Sequence, residues 1–148
     1  SVLAVSRGGA AAQVKAMKQV SGSLKLELAQ FREMEAFSKF GSDLDAATAE
    51  VLNHGNRLTQ LLIQKQYAPM SMPEEVLALF SGKYKFLRDI PVDKVRDYEQ
   101  KMLMHFKANH QDILKEIEVE KELSADLIDK IKAAMTDFTK DYMLKEGL

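Results

Sequence analysis

From residue 17 onward the apolar positions recur at steps of three and four, the spacing of one face of an α-helix. Met17, Val20, Leu24, Leu28, Phe31 and Met34 form the first stripe. Ser21-Gly22-Ser23 interrupts it and predicts a bend or two abutting helices. Gly41-Ser42 ends the segment, with Ser42 placed as an N-cap and Asp43 and Asp45 against the next helix's positive end. Leu44, Ala47, Val51, Leu58, Leu61 and Leu62 make a second stripe, interrupted near Gly55. Pro69 and Pro73 bracket a loop. Ser71 and Glu74 have the capping-box spacing and open a short helix through Val76, Leu79 and Phe80. Pro91 and Asp93 start what reads as one long helix carrying Val95, Tyr98, Met102, Phe106, Ile113 and Ile117. Ser124 caps the last helix, with Leu127, Ile131, Met135, Phe138 and Tyr142 on one face.

The first five residues differ. Ser1-Val2-Leu3-Ala4-Val5 reads as a buried strand, and no second strand-like run follows to pair with it. The pattern predicts an all-α helical bundle of five or more helices with a short remnant strand at the amino terminus. Residues 1–9 are expected to be the end of a preceding domain and residues 10–148 the helical domain. The sequence is thus expected to be the tail of a larger protein.

Composition narrows the function classes. The 148 residues are 46% hydrophobic, enough for a real core. The net charge of −1, with acids and bases interspersed, lacks the basic stripe of a nucleic-acid surface. There is no cysteine, hence no disulfide frame and no thiolate metal site. No apolar run approaches the roughly 20 residues needed to cross a bilayer, so direct membrane insertion is not expected.

Candidate chemistry is sparse. His105 and His110 are five apart, which does not place two ligands on one helical face, and no metal site is predicted. The eight methionines fall mostly on the apolar stripes as gap-fillers. No G-x-x-x-x-G-K-[ST] phosphate loop is present. Asp43, Asp45 and Glu50 are explained by helix-dipole complementarity, and Gln64-Lys65-Gln66 by a polar helix end. A lone arginine is most often a solvated surface residue. Arg7 is set apart by its place directly after the strand-like run.

Read as strings, several segments resemble one family. They are Val5-Ser6-Arg7 with Ala11-Ala12-Gln13, then Lys15-Ala16-Met17-Lys18, then the run from Leu24-Lys25-Leu26-Glu27-Leu28 to Gln30-Phe31-Arg32-Glu33. Phe40-Gly41-Ser42-Asp43-Leu44-Asp45, Arg57-Leu58-Thr59 and Gln64-Lys65-Gln66-Tyr67-Ala68-Pro69-Met70 follow in order. Together they resemble the alpha subunit of the rotary F-type ATP synthase over the first half of the sequence. Beyond Pro73 the likeness is one of helix pattern.

The resemblance implies a carboxy-terminal helical domain preceded by the last strand of a nucleotide-binding domain. It implies a noncatalytic, regulatory subunit in a complex that makes ATP from ADP and phosphate with a transmembrane ion gradient. The implied partners are beta and alpha subunits in an alternating ring and a central rotor shaft. Arg7 matches the arginine that reaches into the neighbouring beta subunit's catalytic site. Gln64 and Gln66 match the pair beside the adenine of the noncatalytic nucleotide, and Ser42, Asp43 and Asp45 match the loop facing the shaft. The implied cofactor is ATP or ADP with magnesium in the full-length subunit, and none in this stretch alone. The implied location is a peripheral complex on the cytoplasmic side of a bacterial membrane, or the matrix or stroma side of an organelle membrane. Gly8 stands where the family usually has valine, which loosens the backbone after Arg7. The rival reading is a freestanding helical interaction module related to that domain. The beta subunit's equivalent domain is disfavoured, since beta carries a longer acidic string at the shaft loop.

Overall fold

The computed structural model describes residues 14–38, 46–67 and 70–148, with the side chains of residues 38 and 64–67 left aside. Six α-helices occur among them. They are α1 (Lys15–Ser38), α2 (Ala46–Tyr67), α3 (Met72–Lys83), α4 (Val95–Asn109), α5 (Gln111–Glu120) and α6 (Ala125–Glu146), with a 3-10 turn at Val92–Lys94 before α4. The architecture is all-α, as the periodicity predicts. The strand expected at Ser1–Val5 lies outside the described residues.

Helix α1 packs on α2 and α3, α4 touches α2, α3, α5 and α6, and α5 rests on α3 and α6. One core cluster runs through all six helices, from Met17, Val20 and Leu24 in α1 to Met135, Phe138 and Tyr142 in α6. The stripes read from sequence are the faces that are buried. Short α3 is the exception, with eight residues between Pro73 and Gly82 buried and therefore no wet face along most of its length.

The helix ends follow local chemistry. Ser71 forms a full capping box with Glu74, and Pro73 lies in the first turn, where its missing N–H is not needed. Ser124 Oγ accepts from Leu127 N at 3.1 Å. Helix α3 closes through Phe86 N to Ser81 O at 2.9 Å and Lys85 N to Gly82 O at 3.2 Å. That pattern requires the left-handed conformation at Lys85, φ 62°, where glycine is the usual choice.

Two sequence expectations are corrected. Helix α1 runs unbroken through Ser21-Gly22-Ser23. Val20, Ser21 and Leu24 are buried there, and the packing outweighs the roughly 1 kcal/mol that a helical glycine costs. The long helix expected from Pro91 is two helices. His110, at φ −133° and ψ 44°, ends α4 and starts α5. Its carbonyl accepts from Ile113 N at 3.1 Å, so the hydrogen-bond ladder restarts at the break. The turn at His110 lets α5 leave the line of α4 and pack on α3 and α6.

Candidate functional site

By sequence position the candidate site residues fall on the α1–α2 hairpin or flank it, and the geometry of that hairpin is what the described residues offer. Its helices approach closely at Gly55. A Cβ there would stand 2.1 Å from Cγ of Phe31, so the ring of α1 occupies the space a side chain would need. Gly82 does the same for α3, where a Cβ would lie 2.8 Å from a Leu58 methyl and 3.0 Å from a Leu61 methyl. His54 of α2 pairs with Glu27 of α1 at the half-buried margin of the hairpin.

Arg57 ties the hairpin to the segment that follows α3. Its Nε donates to Leu87 O and to Ile90 O, both at 2.8 Å, and Nη1 donates to Asn53 O at 3.0 Å. The residue is 9% exposed, and burial lowers its pKa from the usual arginine value against the opposing pull of Asp89 and Glu50. It serves two carbonyls in the turns after α3 that have no helical partner, which fixes where the second half of α2 lies.

The start of α1 is also anchored. Gln19 Nε2 donates to Leu123 O at 2.9 Å, and Leu123 N donates back to Gln19 Oε1 at 2.8 Å. Ala16 N donates to Lys121 O at 3.0 Å, giving one of the orphan amides of the first turn a partner. Lys83 Nζ adds a bond to Gln19 O at 2.7 Å. The α5–α6 turn therefore holds the end of α1 at which residues 1–13 join.

A cleft of about 320 Å³ opens between α1 and α2 and is lined by Glu27, Gln30, Glu50, His54, Lys85 and Arg88. Its acids and bases are largely matched, Glu27 with His54 and Glu50 with Arg88 at 3.2 Å.

Helix α2 carries the backbone of Gln64 and Gln66 in its last turns. Their side chains, and Arg7, Ser42, Asp43 and Asp45 entirely, lie outside the described residues. Among the described residues no group of three His, Asp or Glu side chains could hold a metal ion, and no helix is long and apolar enough to cross a membrane. The rings of His105 and His110 stand 5.2 Å apart, and Asn109 Nδ2 lies 3.2 Å from His105 Nδ1. Burial, and secondarily the charge of His110, lowers the His105 pKa.

Sequence reading missed the buried polar groups of the rear helices. Glu99 is 1% exposed and bonded to Ser81 at 2.8 Å. Tyr98 shares a 2.7 Å bond with Thr139, and the Tyr142 hydroxyl donates to Asp97 at 2.8 Å. A signal was present for Glu99, which falls on the same stripe as Val95, Met102 and Phe106.

Residues 13–138 match the family model of the ATP synthase alpha/beta subunits' carboxy-terminal domain. That span covers most of the sequence, and the protein belongs to this family. Within it, the likeness is to alpha subunits. The sequence is 48% identical over 141 residues to ATP synthase subunit alpha of Rickettsia bellii, covering 95% of this protein and 28% of that one. It is 52% identical over 141 residues to the mitochondrial ATP synthase subunit alpha of Neurospora crassa, covering 95% of this protein and 26% of that one. It thus spans about a quarter of the length of the relatives it matches.

Proposed function

We propose that this protein acts as the carboxy-terminal helical domain of a noncatalytic, regulatory alpha subunit in a rotary F-type ATP synthase. The observation that carries the reading is the alignment with alpha subunits over 95% of the sequence at about half identity. In this reading the bundle packs around the rotating shaft within a ring of alternating alpha and beta subunits, on a peripheral complex driven by a proton or sodium gradient. Asp43 and Asp45, with Ser42, present acid to the rotor. Gln64 and Gln66 offer hydrogen bonds to an adenine edge, while the phosphates and magnesium are held by parts of the subunit before residue 1.

Arg7 has the sharpest role. Negative charge spreads over the equatorial oxygens of the transferring phosphoryl group in the transition state. A guanidinium from the adjacent subunit meets that charge with a planar fork of donors. Supplying it in trans makes chemistry depend on the interface, as sequential catalysis around a ring requires.

The test uses the complete complex. Arg7→Ala is expected to leave assembly and nucleotide binding intact while turnover falls by roughly 10³ or more. Arg7→Lys should recover little, because an ammonium does not reproduce the fork. Near-normal turnover with Arg7→Lys removes the catalytic role. Failure of the full-length subunit to enter a ring with beta subunits supports a freestanding interaction module instead.

A further inference from the structure

Glu99 lies at the crossing of α3 and α4 with no access to water. Its Oε2 is 2.8 Å from Ser81 Oγ, and the same Ser81 Oγ is 2.6 Å from Ala78 O. A serine hydroxyl carries one proton. A backbone carbonyl only accepts, so the 2.6 Å contact claims the Ser81 proton. If Glu99 were a carboxylate, two acceptors would then face each other at 2.8 Å. With the carboxyl protonated on Oε2, both contacts close: Glu99 donates to Ser81, and Ser81 donates to Ala78 O. The adjoining Tyr98–Thr139 pair follows the same rule, because Thr139 Oγ1 gives its proton to Met135 O at 2.7 Å and so accepts from Tyr98. Glu99 Oε1 has no hydrogen-bond partner in the structure and is left as a bare buried acceptor, tolerable for a neutral acid and severe for an anion.

No countercharge rescues the anion among the described residues. No cation figures among the causes of the Glu99 pKa shift, and the nearer cations of the packed elements are engaged elsewhere. Arg57 of α2 is held by Leu87 O and Ile90 O, Lys83 of α3 by Gln19 O, Lys94 of the 3-10 turn by Glu146, and Lys130 of α6 by Glu116 of α5. Lys132 of α6 lies over the Tyr84 ring, 4.4 Å from its centroid. Of the acids, Glu74 of α3 is paired with Lys107, and Asp97 accepts from Tyr142 of α6. Tyr98, next to Glu99 on α4, is the titratable group that feels its charge. Burial raises the Glu99 pKa from 4.5 to about 8.

We propose that Glu99 and Ser81 form a proton-held latch between α3 and α4, closed while Glu99 keeps its proton and released when that proton leaves to water. The step balances simply: the O–H bond of the carboxyl breaks, the proton passes to solvent, and the carboxylate is hydrated as the crossing opens. The closed state binds one more proton than the open state between the two pKa values. The opening equilibrium therefore rises about tenfold per pH unit across that window. Above the closed-state value both forms are ionised and the dependence ends.

Amide hydrogen exchange on the protein, corrected for its intrinsic pH dependence, reads this directly. Protection of the Ala78–Gly82 and Tyr98–Met102 amides is expected to fall about tenfold per unit between pH 6 and pH 7.5. Glu99→Gln keeps the shape and the donor to Ser81 without the proton, and should make protection independent of pH. Flat protection in the unsubstituted protein, or an equal slope in Glu99→Gln, overturns the latch. A carboxyl-carbon titration of Glu99 by NMR needs no substitution. Ionisation near pH 8 supports the proposal, and ionisation near the ordinary value of about 4.3 overturns it.

Discussion

The front hairpin, α1 with α2, and the rear group, α3 to α6, are held by different chemistry. In the front, apolar stripes meet at the Gly55–Phe31 contact, the Glu27–His54 pair sits half-buried at the margin, and buried Arg57 clamps the hairpin to the turns after α3. In the rear, aromatic rings and hydroxyls lie inside the core. The Tyr98 ring meets Phe138 at a tilt and Tyr142 edge-on, with centroids 5.5 and 5.3 Å away, and Phe80 meets Tyr84 at a tilt, 4.4 Å away. Marginal polar links can rearrange with water in attendance. Buried ones hold their protons in one arrangement. The candidate functional residues all belong to the front half or flank it, and the latch belongs to the rear.

The largest expected effect tests the rear half. Phe80 is fully buried between Tyr84 and Phe86. Phe80→Ala should destabilise the protein by about 3–5 kcal/mol, because the fused rear core collapses poorly around a ring-sized gap. Phe37 is the same residue at the end of α1 and is 70% exposed. Phe37→Ala should change stability by about 0.5 kcal/mol or less. Chemical denaturation of the two variants side by side measures the contrast. Equal losses would erase the distinction.

Gly55→Ala gives the next largest effect and breaks the front half. Alanine suits an isolated helix better than glycine by up to about 1 kcal/mol. Here its Cβ would meet the Phe31 ring at 2.1 Å, through ring and Cβ atoms that sit close to the α1 backbone. Overpacking should win, with a net loss of about 1–3 kcal/mol. Phe31→Leu in the same protein should recover part of it, and a double-mutant cycle measures the coupling. A stabilised Gly55→Ala would mean the hairpin can part without cost.

These contrasts explain what was legible in the sequence. The stripes Met17–Val20–Leu24–Leu28–Phe31 and Leu127–Ile131–Met135–Phe138–Tyr142 became the buried faces because helix period is a direct record of which side meets the core. The caps at Ser71 and Ser124 were legible because their bonds are local. The break at His110 was not, since no glycine or proline marks it and the pull comes from α3 and α6. Ser21-Gly22-Ser23 misled for the converse reason: a local weakness was overridden by packing on both sides of it. Glu99 was passed over because a glutamate among Asp97, Arg96 and Gln100 reads as a wet surface, although its stripe position placed it inside. The candidate functional residues rest on the words they form rather than on physics. Arg7, Ser42, Asp43 and Asp45 leave no trace in a periodicity, and a terminal Gln64–Gln66 pair is an ordinary helix end.

The smallest expected effect concerns the seam between the halves. Gln19 is the residue that joins the first turns of α1 to the α5–α6 turn, donating to and accepting from the backbone of Leu123. Gln19→Ala removes both bonds, each worth about 0.5–1.5 kcal/mol net. Gln19 is only partly buried, so water takes over the freed groups and the global loss should sit at the low end. The local consequence should be larger. Among the described residues, Ala16 N to Lys121 O would remain as the backbone bond of the seam, and the Leu123 amide would lose its acceptor. Exchange at Leu123 and Ala16 should therefore accelerate while amides of α2 and the middle of α6 stay protected. That outcome would show the start of α1 tethered by the rear half through a few replaceable bonds. Uniform acceleration across α1 and α2 would show instead that the two halves open as one unit and that the contrast between them is chemical but not cooperative.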